Sequence, residues 1–178
     1  MAKAIFWDLM GTLGGEATGD INDFTFYPFA YEALRNAGKK EFINIVITNQ
    51  SGIGKGLITR ADFDIKINEL QLLLENNSAV ITEFLCCPHT HKDNCNCKKP
   101  KTGLIEACVK KYAIDIKKSY VIGDMGKSDI VMAKNAGCNG ILVLTGGGKK
   151  SLNEFRSTWA DYEADIITDN ALAAVEAI

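Results

Sequence analysis

Short apolar runs rich in β-branched and aromatic residues alternate with helical patterns along the chain. Ala4 to Trp7, Phe42 to Ile47, Val80 to Leu85, Tyr120 to Ile122 and Ile141 to Leu144 each read as a strand. Tyr27 to Asn36 carries a helical pattern with Gly38 as its stop signal, and Arg60 to about Glu75 predicts a longer helix capped by Thr59. In that helix Phe63, Ile67, Leu70 and Leu74 recur every three or four residues and form an apolar stripe. Thr102 to Lys111 and Asp129 to Ala136 continue the alternation, the second ended by Gly137. Beyond Leu144 the pattern predicts helix, short strand and helix. Strands alternating with helices predict an α/β fold, a parallel sheet covered on both faces. No repeat or linker interrupts the 178 residues, so residues 1–178 are read as one domain.

In such sheets ligands bind beyond the carboxyl ends of the strands. Three polar groupings are predicted at that edge: Asp8, then Thr48-Asn49-Gln50, then Gly123-Asp124. A carboxylate at the end of a buried strand, followed by a Gly-Thr turn, can attack phosphorus and form an aspartyl phosphate. Thr48 and the backbone N–H groups after it can hold phosphoryl oxygens. Lys98-Lys99-Pro100-Lys101 supplies cations for transition-state charge, or is simply a solvated basic run. Asp124 and Asp129 are paired acids that suit Mg²⁺, although Asp129 also reads as a helix cap.

Composition narrows the partners. The net charge is −2, with 20 Lys and Arg against 22 Asp and Glu scattered along the chain, which argues against broad binding of nucleic acid or anionic membranes. No apolar run approaches the roughly 18 residues of a membrane helix, and no signal peptide is visible, so a cytoplasmic location is expected; a monomer is the expected working form, and the strand-end chemistry above points to a small phosphorylated metabolite as partner. Four of the six cysteines fall between Cys86 and Cys97. Cys87-Pro88-His89, five residues, then Cys95-Asn96-Cys97 gives a Cys3His set suited to a closed, structural zinc site rather than free thiols. Cys86 reads as a strand residue and His91 as a solvated one. Cys108, Cys138, Trp7 and Trp159 read as packing residues, and Gly146-Gly147-Gly148 as a flexible loop.

Ile5-Phe6-Trp7-Asp8-Leu9-Met10-Gly11-Thr12-Leu13, Thr48, the Lys-Pro segment and Gly123-Asp124 with Asp129 occur in the order of the four motifs of the haloacid dehalogenase (HAD) superfamily. The chain resembles phosphatases of that superfamily over roughly residues 4 to 145. Thr48-Asn49-Gln50-Ser51-Gly52 and the zinc loop running into Lys98-Lys99-Pro100 resemble the branch containing heptose-bisphosphate and histidinol-phosphate phosphatases. The resemblance implies a doubly wound, Rossmann-like sheet with Asp8 as nucleophile, Thr48 binding phosphate and Lys99 stabilising it. It implies Mg²⁺ held by Asp8, the backbone carbonyl of Met10 and Asp124, with Asp129 supporting that shell. It places Asn49, Gln50, Ser51 and Lys98 on the substrate. About 35 residues between Asp8 and Thr48 leave no room for a cap domain, so a capless site screened by the zinc loop, residues 86–101, is expected.

One position departs from the family. Its Asp-x-Asp becomes Asp8-Leu9-Met10 here, and a thioether neither protonates a leaving alkoxide nor activates water. Losing general acid–base catalysis typically costs about 10²–10⁴-fold. Three readings stay open: a substrate with a good leaving group such as an acyl or anomeric phosphate, a proton donor at Glu16 or Asp20, or a phosphate-binding pseudoenzyme. An engineered substitution would look the same. Nucleic-acid 3′-phosphatase activity is disfavoured by the acidic balance.

Overall fold

The computed structural model describes residues 1–178. Six strands, β1 (Lys3–Trp7), β2 (Phe42–Asn49), β3 (Glu83–Cys87), β4 (Tyr120–Gly123), β5 (Asn139–Val143) and β6 (Ile166–Thr168), form one sheet in the order β3-β2-β1-β4-β5-β6. Every pairing is parallel. The helices are α1 (Ala30–Lys39), α2 (Ser51–Gly54), α3 (Arg60–Asn76), α4 (Gly103–Tyr112), α5 (Val131–Ala136), α6 (Gly148–Leu152) and α7 (Ala171–Glu176).

Successive side chains of a strand point to opposite faces, so a central strand covered on both sides must be apolar throughout. β1 shows this directly. Ile5 and Trp7 pack with residues of α1, α3 and α7, while Ala4 and Phe6 pack with α4 and α5 on the other face. This is the parallel sheet covered on both faces that the strand and helix pattern predicts, and the doubly wound form that the resemblance implies. Trp7 is a packing residue, and its indole N–H donates to Asn44 Oδ1 at 3.0 Å, so the buried donor is satisfied. Cys108 and Cys138 are buried core thiols as expected.

The α3 stripe of Phe63, Ile67, Leu70 and Leu74 is buried, and Thr59 and Asp62 close a reciprocal capping box at the helix start. Three boundaries differ from the sequence reading. β3 runs Glu83–Cys87 rather than Val80 to Leu85. Val80 is 66% exposed, and the Ala79–Ile81 stretch instead crosses beneath the sheet, where the Asn44 amide donates to the carbonyl of Val80. α1 begins at Ala30, because Tyr27 N–H is taken by Leu13 O in a turn, and it continues through Gly38 to Lys39. Asp129 precedes α5 within a wide π-type turn, Gly126–Ile130. Gly137, at φ 75°, ends α5 as predicted.

The segment between β1 and α1 is a loop folded on itself, with a bridge between Gly14 and Phe26 and one short turn at Ile21–Asp23. No cap domain stands over the carboxyl edge. No helix is long and apolar enough to cross a membrane.

Candidate active site

Four buried charged groups meet at the carboxyl ends of the two central strands. Asp8 follows β1 directly, and its N–H donates to Ile122 O of β4 at 2.9 Å, which fixes its backbone against the sheet. Asp124 follows β4. Asp129 reaches back from the π-type turn, its Oδ2 accepting from Met125 N–H at 3.0 Å. Oxygen atoms of Asp8, Asp124 and Asp129 all lie within 4.8 Å of one another. Lys99 enters from the loop after β3, its Nζ 2.5 Å from Asp8 Oδ1 and 2.7 Å from Asp129 Oδ1.

Burial alone would pull the Lys99 ammonium down, but Asp129 and Asp8 outweigh it and hold its pKa above the ordinary value. The acids respond oppositely. Burial, with Asp8 and Asp129 adding repulsion, pushes Asp124 up to about 8. Burial likewise pushes Asp129 up to about 6 even though it is paired with Lys99, so desolvation dominates there. Asp124 Oδ1 is buried with no hydrogen-bond partner. With all three carboxylates ionised, one ammonium would leave two negative charges uncompensated, which is the strain the raised acids report. A hard divalent cation bound through oxygens fits both the charge and the orphaned acceptor.

Around this centre Thr12 Oγ1 donates to Asp8 Oδ2 at 3.3 Å. Thr48 is buried at the end of β2 and accepts from the Gln50 amide at 3.0 Å. Asn49 clamps the Lys99 peptide from both sides, accepting from Lys99 N–H at 3.1 Å and donating to Lys99 O at 3.3 Å. A cavity of about 520 Å³ opens above, lined by Asp8, Met10, Thr48, Asn49, Gln50, Ser51, Lys99, Asp124 and Asp129 together with the 17–21 loop. Lys98 does not line it; its ammonium is held by Ser51 Oγ and by His89 O. Met10 is buried against the loop above, with its methyl 3.3 Å from where a Cβ would stand on Gly15.

Cys87, His89, Cys95 and Cys97 come together beside β3. Cys87 and Cys95 sulfurs are 3.7 Å apart, Cys87 and Cys97 3.2 Å, and His89 Nδ1 lies 3.6 Å from Cys87 and 3.2 Å from Cys97. All six cysteines are free thiols. Zinc–sulfur bonds of ~2.3 Å in a tetrahedron put donors about 3.8 Å apart, so the four groups suit a closed tetrahedral site. Burial pushes Cys87 up to about 12. Cys95 opposes a desolvation cost with hydrogen bonds from Cys97 and nearby N–H groups, and falls to about 6. Cys86 points elsewhere, accepting from Arg60 Nη1 at 3.5 Å.

A family model described as HAD-hydrolase-like matches residues 96–174, the part that carries Lys99, Asp124 and Asp129. A Thermoplasma volcanium protein named "Probable D-glycero-D-manno-heptose-1,7-bisphosphate 7-phosphatase" is 36% identical over 129 residues, 71% of this chain and 88% of that protein. The chain belongs to the HAD-like hydrolases and is a HAD-type phosphatase. A Buchnera aphidicola histidine biosynthesis bifunctional protein is 31% identical over 173 residues, 94% of this chain; the chain spans 46% of that relative's length. The same fold is seen in the crystal structure of D,D-heptose 1,7-bisphosphate phosphatase from B. bronchiseptica complexed with magnesium and phosphate, at TM-score 0.88 and 24% identity, covering 98% of this chain and 97% of that one.

One glycine feature of this HAD-type site is not apparent from the motifs, and a second, Gly11, bears out the tight turn read there. Gly146-Gly147-Gly148, read as a flexible loop, is built into the site: Gly147 N–H donates to Asp124 Oδ2 at 2.6 Å, and a Cβ on Gly146 would lie 2.4 Å from that oxygen. Gly11, at φ 83°, approaches the same oxygen to a distance that excludes any side chain. Three glycines directly after a strand end were the available signal. Of the two candidate proton donors, Asp20 lines the cavity rim and Glu16 does not.

Proposed function

We propose that the chain is a Mg²⁺-dependent phosphomonoester hydrolase acting on a small phosphorylated metabolite of the sugar-phosphate kind. The observation that carries this reading is the buried Asp8–Asp124–Asp129 cluster with Lys99 inside it and the partnerless Asp124 Oδ1. Asp8 attacks phosphorus to give an aspartyl phosphate, which water then hydrolyses. Thr48 and Lys99 hold the phosphoryl oxygens, and Asn49, Gln50 and Ser51 form the substrate side, with Lys98 behind them as the support of Ser51. Asp8, Asp124 and the Met10 carbonyl hold the metal, with Asp129 as support. When bound, Mg²⁺ neutralises charge on the phosphoryl group. Zinc at Cys87, His89, Cys95 and Cys97 is structural. A heptose bisphosphate-like substrate is supported by the names of the relatives, and a cytoplasmic, monomeric working form belongs to the same reading.

Met10 supports a second reading, a phosphate-binding protein with little turnover. Phosphate release from a panel of sugar and acyl phosphates, with Mg²⁺ and with chelator, separates the two. Mg²⁺-dependent release that disappears in Asp8→Asn is expected. A panel with no release, combined with thermal stabilisation by phosphate compounds that survives Asp8→Asn, would establish the binding module instead.

A further inference from the structure

We propose that the productive substrates carry their phosphoryl group on a weakly basic oxygen, as acyl phosphates do. This rests on the phosphatase reading above and departs from its sugar-ester substrate, whose phosphoryl group on a primary alcohol would have to leave as an alkoxide. The ground is the set of proton donors facing Asp8. The side chain beside it in the cavity is the Met10 thioether, buried against Gly15 and Gly19, with no proton to give. Two of the three Lys99 N–H donors go to carboxylates at 2.5 and 2.7 Å, which hold the group as an ammonium. Asp124 and Asp129 are buried, and carboxylates that serve a cation are ionised and accept only. At the rim, Asp20 is exposed and its Oδ1 is occupied as the cap of the Ile21–Asp23 turn, accepting from Asn22 N–H at 2.9 Å. Lys55 also lines the cavity, but it is exposed and no partner holds its ammonium towards Asp8. No acid is therefore held where an alkoxide would leave.

An alkoxide resembles hydroxide, whose conjugate acid has a pKa near ~16, and its departure needs a proton. A carboxylate leaving group has a conjugate acid near ~4 and needs none. Asp8 attacks phosphorus, the bond from phosphorus to the substrate's carboxyl oxygen breaks, and the electron pair leaves with that oxygen. The aspartyl phosphate so formed is itself a mixed anhydride. Water attacks its phosphorus, the pair of the breaking bond returns to Asp8, and both water hydrogens end on the released dihydrogen phosphate. Neither half-reaction calls on an acid at position 10.

The test is kcat/KM with Mg²⁺ along a series from acetyl phosphate through aryl phosphates of rising leaving-group basicity to an alkyl phosphate. The expected result is a continuous fall of at least about 10²-fold, and in Met10→Asp a gain of about 10²–10⁴-fold for the alkyl phosphate with under about tenfold change for acetyl phosphate. The wild-type series decides the matter even if that variant folds poorly. Alkyl and acetyl phosphates turned over within about tenfold of each other would overturn the proposal while leaving the phosphatase reading intact. So would alkyl turnover that is lost in Asp20→Asn, which would make Asp20 the acid. If wild type turns over no member of the series, the phosphatase reading falls and this proposal with it.

Discussion

Replacing Lys99 by methionine keeps the length of the side chain and removes the charge between Asp8 and Asp129. In the metal-free protein this leaves three buried carboxylates with no cation. Breaking a buried pair by removing one partner typically costs about 3–5 kcal/mol. At about 2–4 °C per kcal/mol for a chain of this size, the melting temperature should fall by roughly 6–20 °C near pH 8. The pH dependence follows from the acids. Asp124 and Asp129 sit above their ordinary 3.8, at about 8 and about 6, because burial penalises their charge. A carboxyl group raised in the fold stabilises it fully below the ordinary value and loses that contribution as pH rises through the raised one. Metal-free wild type should therefore lose stability between pH 4 and 8, and the Lys99→Met penalty should shrink towards pH 5, where Asp124 is already protonated. Saturating Mg²⁺ should raise the melting temperature of the variant more than that of wild type, while phosphate release falls sharply. Circular dichroism melts at the two pH values, with and without Mg²⁺, read all of this. A variant melting within about 2 °C of metal-free wild type at pH 8, or equally destabilised at both pH values, would show that Lys99 does not balance the cluster.

Other changes test other parts of the structure. Cys87→Ser or zinc chelation should release about one equivalent of bound zinc and expose residues 87–101 to faster hydrogen exchange; unchanged exchange there would mean that the loop does not depend on metal. Gly11→Ala forces a Cβ to within 2.3 Å of Asp124 Oδ2 at a positive φ, so it should weaken Mg²⁺ binding in calorimetry by at least about tenfold, and wild-type affinity would refute this close packing. Leu70→Ala, in the buried α3 stripe, should cost about 2–5 kcal/mol in urea unfolding and leave KM unchanged.

The site was legible in the sequence to the extent that it sits at strand ends. Each apolar run that stops at a polar group, at Asp8, Thr48 and Asp124, marks both a buried strand and the edge where its chemistry lies. The misread boundaries share a cause. Around Val80 the burial alternates as in a strand, with Ala79 and Ile81 buried and Val80 exposed, yet the ladder with β2 begins only at Glu83, and Tyr27 to Phe29 is a partly buried turn; periodicity cannot separate such segments from an element. The glycines at 146–148 were misread for a related reason: they act through a backbone N–H and through the absence of a side chain, and a run of glycines marks that freedom without showing what it faces. Lys99 was legible as a cation, but its two partners come from β1 and from the turn before α5, 91 and 30 residues away, and only the fold brings them together.

The metal loop and the acidic cluster are coupled by their order along the chain. Cys97 is two residues from Lys99, and Asn49 at the end of β2 grips the Lys99 peptide through both its polar groups. Gln50 and α2, which follow β2 directly, are tied to the other end of the loop, with Gln50 N–H donating to Cys87 O at 2.8 Å and Gly54 N–H to Pro88 O at 2.8 Å. Lys98 adds a third tie, to Ser51 and His89. The loop itself contributes almost no apolar side chains to the core, so its shape rests on these polar ties and on the Cys3His cluster. The sheet does not rest on the loop, since its buried residues come from the strands and helices on either side. Loss of the Cys3His cluster should therefore reach the acidic cluster through the placement of Lys99 long before it reaches the stability of the fold.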